Sequence, residues 1–453
     1  MTDATWEHEL KHQPLREDIR WLGQLLGQIL REQAGEATFA LEEALRLGFK
    51  QLRATPDDGA LRDQLEGLVA GLDTATAARV LRAFTLYFQL ANLAEEHHRV
   101  RRIRQYGQAS AAPPAAGSLE ALVARLAAEE VPPQALQAAL DRLSVEPVLT
   151  AHPTEALRRT VLEKLQGLEA ALTQRDAGVL EPGERRRLEA RIAAEIEALW
   201  QTDEVHRRAP TVLDEVRHGL HFLDGVLFEA APQVLEGLEA ALARHYPGHA
   251  FRVPAFLRFG AWMGGDRDGN PHVTAETTYQ ALLTAHRLMA RRHLAVAERL
   301  AVDLSQSTHR VGVSAALVAG LEADAARFPE VVREARERNP FEPYRQKLAV
   351  IQHRLARTLA AWPETLREAL GHEPAEAPVG YADAAALAEE VACLARSLEA
   401  HQGARVARDG LAAWQRQLAT FGFHGARLDV RQHARVHAEA LADLVDTLRL
   451  LPA

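Results

Sequence analysis

Cysteine is almost absent: Cys393 is the only one among 453 residues, which excludes an intrachain disulfide framework and a thiolate zinc cluster. Its neighbours Val391, Ala392 and Leu394 mark it as a small core residue. Lysine is nearly as scarce, with Lys11, Lys50, Lys164 and Lys347 as the full set, so arginine carries the positive charge. No uncharged apolar run approaches the roughly 18 residues of a membrane helix. The start, Met1 to His8, lacks a basic stretch followed by an apolar one, so no signal peptide is visible, and a soluble cytoplasmic protein is the expectation. Phosphate-loop, dinucleotide-binding and nucleophile-elbow patterns are missing as well. The formal net charge of -9 argues against a general nucleic-acid surface. An anionic substrate would have to be drawn in by local arginines.

What is present is helical periodicity. Ile19, Leu22, Leu26, Ile29 and Leu30 share one face. Similar patterns recur at 60–104, 118–143, 160–201, 212–243, 275–305, 312–325, 344–370 and 382–418. Strand signals are rare, the best being Val145–Ala151, Phe256–Trp262 and Phe421–Val430, each leading into a polar segment. Gln105–Gly117 reads as a loop, small and proline-bearing, and Pro374–Pro378 as another. A helix-rich chain with a few widely spaced strands, each ending in a reactive loop, suits an elaborated α/β barrel better than a plain helical bundle. The expected organisation is an N-terminal helical region over 1–104, a linker over 105–117, and the first part of a β/α barrel with helical insertions over 118–453.

Three segments carry chemistry. In Val148-Leu149-Thr150-Ala151-His152-Pro153-Thr154-Glu155, the proline biases His152 toward an extended backbone at a strand end. Thr154 is placed to cap a following helix, and Arg158 and Arg159 about one turn on add positive field. Histidine titrates near neutrality, and those cations favour its neutral, proton-accepting form. Catalysis and a structural tie from His152 to a carbonyl both fit the local chemistry. In the second segment, Trp262 to Pro271, Gly264 and Gly265 allow a tight turn, and Asp268-Gly269-Asn270-Pro271 is strong turn chemistry. Asp266 and Asp268 around Arg267 predict an internally paired loop holding Trp262, either structural or substrate-lining. In the third, alternation puts Arg427, Asp429 and Arg431 on one side, opposite Leu428 and Val430. That pattern fits an anion clamp or a salt-bridge ladder on a solvated face. His433 and His437 have zinc-pair spacing, but Ala434 stands where a metalloprotease has glutamate, so a wet helix face is expected. His97, His98, His218 and His221 show no evident partners.

Together these segments resemble phosphoenolpyruvate carboxylase. VLTAHPTE with the following Arg158-Arg159 is similar to the family's histidine signature, and WMGGDRDGNP at 262–271 to its second. RLDVRQ at 427–432 is similar to a third. LREDIRWLG at 15–23, NLAEEHHR at 92–99, LWQTDEVHRRAPT at 199–211 and NPFEPYRQKL at 339–348 match between them. The resemblance implies magnesium-dependent carboxylation of phosphoenolpyruvate by bicarbonate, giving oxaloacetate and phosphate, in a cytoplasmic homotetramer. It implies that His152 takes the carboxyphosphate proton, that Arg427 binds substrate and phosphate, and that Trp262 lines the pocket retaining carbon dioxide. It further implies an allosteric anion site at Arg158 and Arg159, with His206 standing where that region often has another arginine.

Members of that family are about twice this long. The resemblance places their glycine-rich arginine loop, catalytic lysine and two magnesium-binding carboxylates beyond the part matched here. The expectation is an N-terminal portion that is not an active carboxylase by itself. A non-catalytic helical module binding anionic metabolites or partner subunits is the alternative.

Overall fold

The computed structural model describes residues 3–108, 114–150, 158–204, 208–371 and 379–448, with the side chains of 3–11 and 106–108 left aside. The chain forms two compact units: Met1–Ala115 with Glu155–Arg208, and Ala116–Thr154 with Ala209–Ala453. Residues 155–208 thus belong with the N-terminal helices. The boundary is not collinear with the sequence, because apolar faces 60 or more residues apart pack on one another.

The first unit is helical. Its long opening helix, Asp3–Ala34, buries the predicted stripe: Leu22, Leu26, Ile29 and Leu30 are all nearly inaccessible. They meet Leu86 and Leu90 from helix Thr74–Gln108, Leu168 and Leu172 from helix Arg159–Asp176, and Ile192 and Ile196 from helix Pro182–Trp200. Helix Glu36–Ala54 is absent from the sequence expectations. Its apolar spacing is interrupted by Gly48 and its charges are dense, so only Leu45 marks a buried apolar face, against Leu65 and Val80.

In the second unit, helix Ala275–Asp303 packs along helix Pro343–Ala360. The core they share includes the fully buried Phe228, Tyr344, Trp414 and Phe421. The predicted segment 275–305 corresponds to one helix because Thr274 caps it, accepting a bond from the Thr277 N–H. Segments 60–104, 118–143 and 160–201 each divide in two, at Gly71, near Pro132 and near Gly178. Glycine and proline at those points break the ladder more cheaply than the surrounding alanine and leucine.

One parallel sheet runs through this unit: β1 (Val148–Leu149), β2 (Gly260–Ala261) and β3 (Arg427–Leu428), in the order β1-β2-β3. Val148 and Leu149 pair with Gly260 and Ala261, which pair in turn with Arg427 and Leu428. Helices fill the connections, as parallel pairing requires. All three strands lie inside predicted segments and are shorter than predicted. The third expectation needs correction at its start: Phe421 ends helix Ala412–Phe421, and Gly422 (φ 50) and Gly425 (φ 72) turn the chain before β3. The loop expected at Pro374–Pro378 lies outside the described residues. The described residues therefore form a predominantly helical fold with a small parallel sheet, and no described helix is long and apolar enough to cross a membrane.

Candidate active site at the carboxyl end of the sheet

The parallel strands bring three distant segments to one end. Leu149 C=O accepts from the Trp262 N–H at 3.0 Å, and Ala261 C=O accepts from the Asp429 N–H at 2.9 Å. Residues 150, 262 and 429 are thereby level with one another just past the strands. The carboxyl ends of parallel strands are where α/β sheets place their ligands. His152, two residues beyond Thr150, lies outside the described residues, as do Thr154 and His206.

The loop after β2 is held by its close approach to β3. A Cβ on Gly265 would overlap the Asp429 carbonyl oxygen, and one on Gly264 (φ 83) would come within 2.6 Å of the Ala281 Cβ. With glycine at both positions the backbones interlock. The Gly265 carbonyl accepts from the Arg431 N–H at 3.0 Å, and the Arg431 carbonyl accepts from the Arg267 N–H at 2.8 Å.

Side chains complete the tie. The half-buried Trp262 donates its indole N–H to the Asp429 carboxylate at 3.1 Å. The Arg431 guanidinium lies over the Trp262 ring, 4.2 Å from its centroid, and donates to Asp266 at 2.9 Å. The expectation of a loop paired within itself is corrected here. Asp266 reaches across to Arg431, while Arg267 donates to the Thr278 hydroxyl, which in turn donates to the Gly264 carbonyl at 2.8 Å. Trp262 is held from two sides by partners 167 and 169 positions away, which local pattern cannot reveal.

Arg427, Asp429 and Arg431 do not act as one clamp. Asp429 serves the indole and Arg431 serves Asp266. Arg427 is half-exposed with a loose partner, Glu146, at 3.5 Å, and so retains donors for an anion. Val430, on the side opposite Arg427 with Leu428 in the expected alternation, is exposed. Glu146 was not singled out, although it precedes β1 by two residues on the strand next but one to Arg427.

Arg158 and Arg159 belong to the other unit. Their helix begins at Arg159, with Arg158 at the N-cap, so both stand at its first turn rather than one turn inside. Arg158 donates to the Asp203 carbonyl at 2.7 Å, and Arg159 pairs with Glu163 at 2.7 Å on an exposed face.

Other histidine readings divide. His433 and His437 are exposed, as expected. His97 is buried and bonded to Asp176 at 2.8 Å, so its apparent lack of a partner is corrected. Sequence reading passed over His293, which is fully inaccessible. Its Nδ1 accepts from the Trp414 indole at 3.1 Å and its Nε2 donates to the Gly422 carbonyl at 2.9 Å, securing the turn that leads into β3. Burial brings its pKa down to about 4, so it is neutral there. Among the described residues no group of three or more His, Cys, Asp or Glu side chains could hold a metal ion.

The phosphoenolpyruvate carboxylase family model matches residues 15–453. The phosphoenolpyruvate carboxylase of Roseiflexus castenholzii is 41% identical over 440 residues, covering 97% of this chain and 47% of that protein. That of Aromatoleum aromaticum is 38% identical over 446 residues, with the same shares. That of an Azoarcus species is 36% identical over 444 residues, again covering 97% and 47%. The chain belongs to the phosphoenolpyruvate carboxylase family, and it spans about half the length of these relatives.

Proposed function

We propose that this chain supplies the N-terminal part of a carboxylase that joins bicarbonate to phosphoenolpyruvate, giving oxaloacetate and phosphate. The observation that carries the reading is the family match over 15–453, with the signature segments meeting at one sheet end. In this reading β1 to β3 are early strands of a β/α barrel within 118–453. Residues 1–104 form the N-terminal helical region, joined by 155–208, and the linker proposed over 105–117 starts later, past the helix end at Gln108. The functional unit is a cytoplasmic homotetramer, and the isolated 453-residue chain is inactive.

Each residue then has a physical task. His152 accepts the carboxyphosphate proton, releasing carbon dioxide beside the enolate, a role suited to a group that titrates near neutrality. Arg427, with donors left over from Glu146, binds the phosphate. Trp262, held edge-on by Asp429 and face-on by Arg431, presents a rigid apolar wall that keeps water from the enolate. Arg158 and Arg159, at a helix start, form an allosteric anion site. Magnesium would neutralise charge on the phosphoryl group. Among the described residues no group of three or more His, Cys, Asp or Glu side chains could hold it, and the resemblance puts its ligands in the part of the family that this chain does not match.

The test is a chimera in which residues 1–453 replace the matching 47% of the Roseiflexus castenholzii relative. Oxaloacetate formation is followed by coupled reduction to malate. The chimera is expected to turn over, and His152→Asn within it to lower kcat by about 10²–10⁴-fold, the usual contribution of a positioned acid–base. Undiminished turnover by that variant removes His152 from the mechanism. Bicarbonate-dependent turnover by the 453-residue chain alone refutes its inactivity.

A further inference from the structure

The LREDIRWLG segment at 15–23 has no task in the reading above, and on helix Asp3–Ala34 it presents two different faces. One face is satisfied. The buried Asp18 accepts from Arg101 at 2.7 Å and Arg175 at 3.1 Å, and Arg101 also holds Asp176 at 2.6 Å. The Arg175 guanidinium covers the Trp21 ring, 4.1 Å from its centroid.

The other face, carrying Arg16, Ile19, Arg20 and Gly23, lines a cleft of about 680 Å³. Its far wall is helix Glu36–Ala54, with Tyr87 at its side. The two helices form an antiparallel hairpin turning at Gly35 (φ 85). The Arg31–Glu36 pair at 3.3 Å and the Phe39 ring against Gly27 set its register. Carried along the hairpin, that register puts Lys50 level with Arg16 and Arg46 level with Arg20. Arg46 is engaged bidentately with Glu43, at 2.7 Å for both contacts. Among the described residues no hydrogen bond or ion pair reaches Arg16, Arg20 or Lys50.

The floor is of another character. Ile19, Leu26 and the Phe39 and Tyr87 rings make it apolar and aromatic. Set into it is Glu42, 5% exposed and without a hydrogen-bond partner among the described residues. Burial pushes its carboxyl up, and Glu43 adds to the effect, so it keeps a proton to donate more readily than an ordinary glutamate. Its carboxyl oxygens are not sealed away, so a polar group of a ligand in the cleft can meet them. The volume falls within the range of small-molecule sites and far exceeds a bare phosphate ion.

We propose that this cleft binds a small organic phosphate. Its phosphate lies on Arg16, Arg20 and Lys50, and its planar or apolar body lies along the floor, with a polar group meeting Glu42. Guanidinium forks suit phosphate oxygens, and the neighbouring cleft of this unit at Asp18, Arg101 and Asp176 has its central charges already paired.

Calorimetric titration of the 453-residue protein at low ionic strength tests it, with ADP, octyl phosphate and inorganic pyrophosphate as probes. At least one organic phosphate is expected to bind saturably at one site, at least tenfold more tightly than pyrophosphate. Combining Arg16→Gln, Arg20→Gln and Lys50→Gln should weaken it at least tenfold with the melting temperature unchanged. Gly23→Leu supplies the second arm. A Cβ there meets Tyr87 at an ordinary 3.6 Å, so the side chain occupies the floor while every cation stays. It should weaken the organic phosphate and leave pyrophosphate unaffected. Absence of saturable binding by all three probes overturns the proposal. So does equal binding of the organic phosphate by the triple variant, or its indifference to Gly23→Leu.

Discussion

Arg431 at the end of the sheet and Arg20 on the first helix each sit in a motif mixing charge with apolar residues. Their surroundings differ. Arg431 donates to Asp266, covers the Trp262 ring and exchanges backbone bonds with the 265–267 loop. Arg20 faces a cleft with no partner among the described residues. An arginine whose donors are already matched positions other groups, whereas one whose donors are free can receive a ligand. By that criterion the sheet end is a rigid frame in which Arg427 is the loosely held cation, and the hairpin cleft is a receptive surface.

The sharpest way to break the comparison is to disturb a buried cluster of paired charges. Glu390 accepts from Arg354 at 2.6 Å and from the Tyr381 hydroxyl at 2.5 Å, and pairs with the buried Lys347 at 3.2 Å. Glu390→Ala leaves these groups buried with fewer partners and should cost about 3–5 kcal/mol in denaturant unfolding. A loss below 1 kcal/mol would mean that water compensates, and that matched and unmatched arginines are not so different.

His293 gives a test by pH. In the unfolded chain a histidine takes up its proton near pH 6.5, while in the folded protein His293 resists until about pH 4. The unfolded state therefore binds more protons between those values. The contribution is full above pH 6.5 and falls as pH drops toward 4, by about 3 kcal/mol. Unfolding free energies across that window should fall more steeply for the native protein than for His293→Gln. Parallel slopes would remove His293 as the cause.

Gly265→Ala probes the interlock directly. Its Cβ meets backbone rather than a movable side chain, so a loss of about 1–3 kcal/mol is expected. Hydrogen exchange should quicken at the Asp429 and Arg431 amides. Asp429→Ala frees the Trp262 indole and should cost about 1 kcal/mol, with indole fluorescence reporting a more mobile ring. At the small end, replacing Arg16, Arg20 and Lys50 by glutamine should change stability by less than about 0.5 kcal/mol, since unpaired exposed cations hold nothing in place. A larger loss would show that the cleft is held together by those cations after all.

How much of this was legible varies with the range of the cause. Helix faces were legible: the stripe from Ile19 to Leu30 is periodic, and burial follows periodicity. The positions of the three strands were legible too, because short apolar runs between glycine- and proline-rich turns are scarce in so helical a chain. Their lengths were not, since where regular pairing gives way to isolated bridges, as past Leu428, depends on the partner strand. The signature segments were recognised, yet the bonds they make were misassigned. Asp266 was expected to pair with its neighbour Arg267 and instead meets Arg431, 165 residues on. Helix Glu36–Ala54 was missed because its inner face is mostly polar, with Glu42 and Thr38 among its few buried residues.

The amino-acid sequence alone determined what depends on neighbours a few residues apart. That includes the helical phases, the caps at Thr274 and Thr211, the glycines that permit the turn after β2, and the signature segments that place the chain in its family. Tertiary structure decided which charged groups are matched and which are left free. An ion pair or hydrogen bond forms over a few ångströms of space and is indifferent to chain separation. Only the folded arrangement could bring Asp429 to Trp262, bury His293 beneath Gly422, and leave Arg16, Arg20 and Lys50 facing an open cleft.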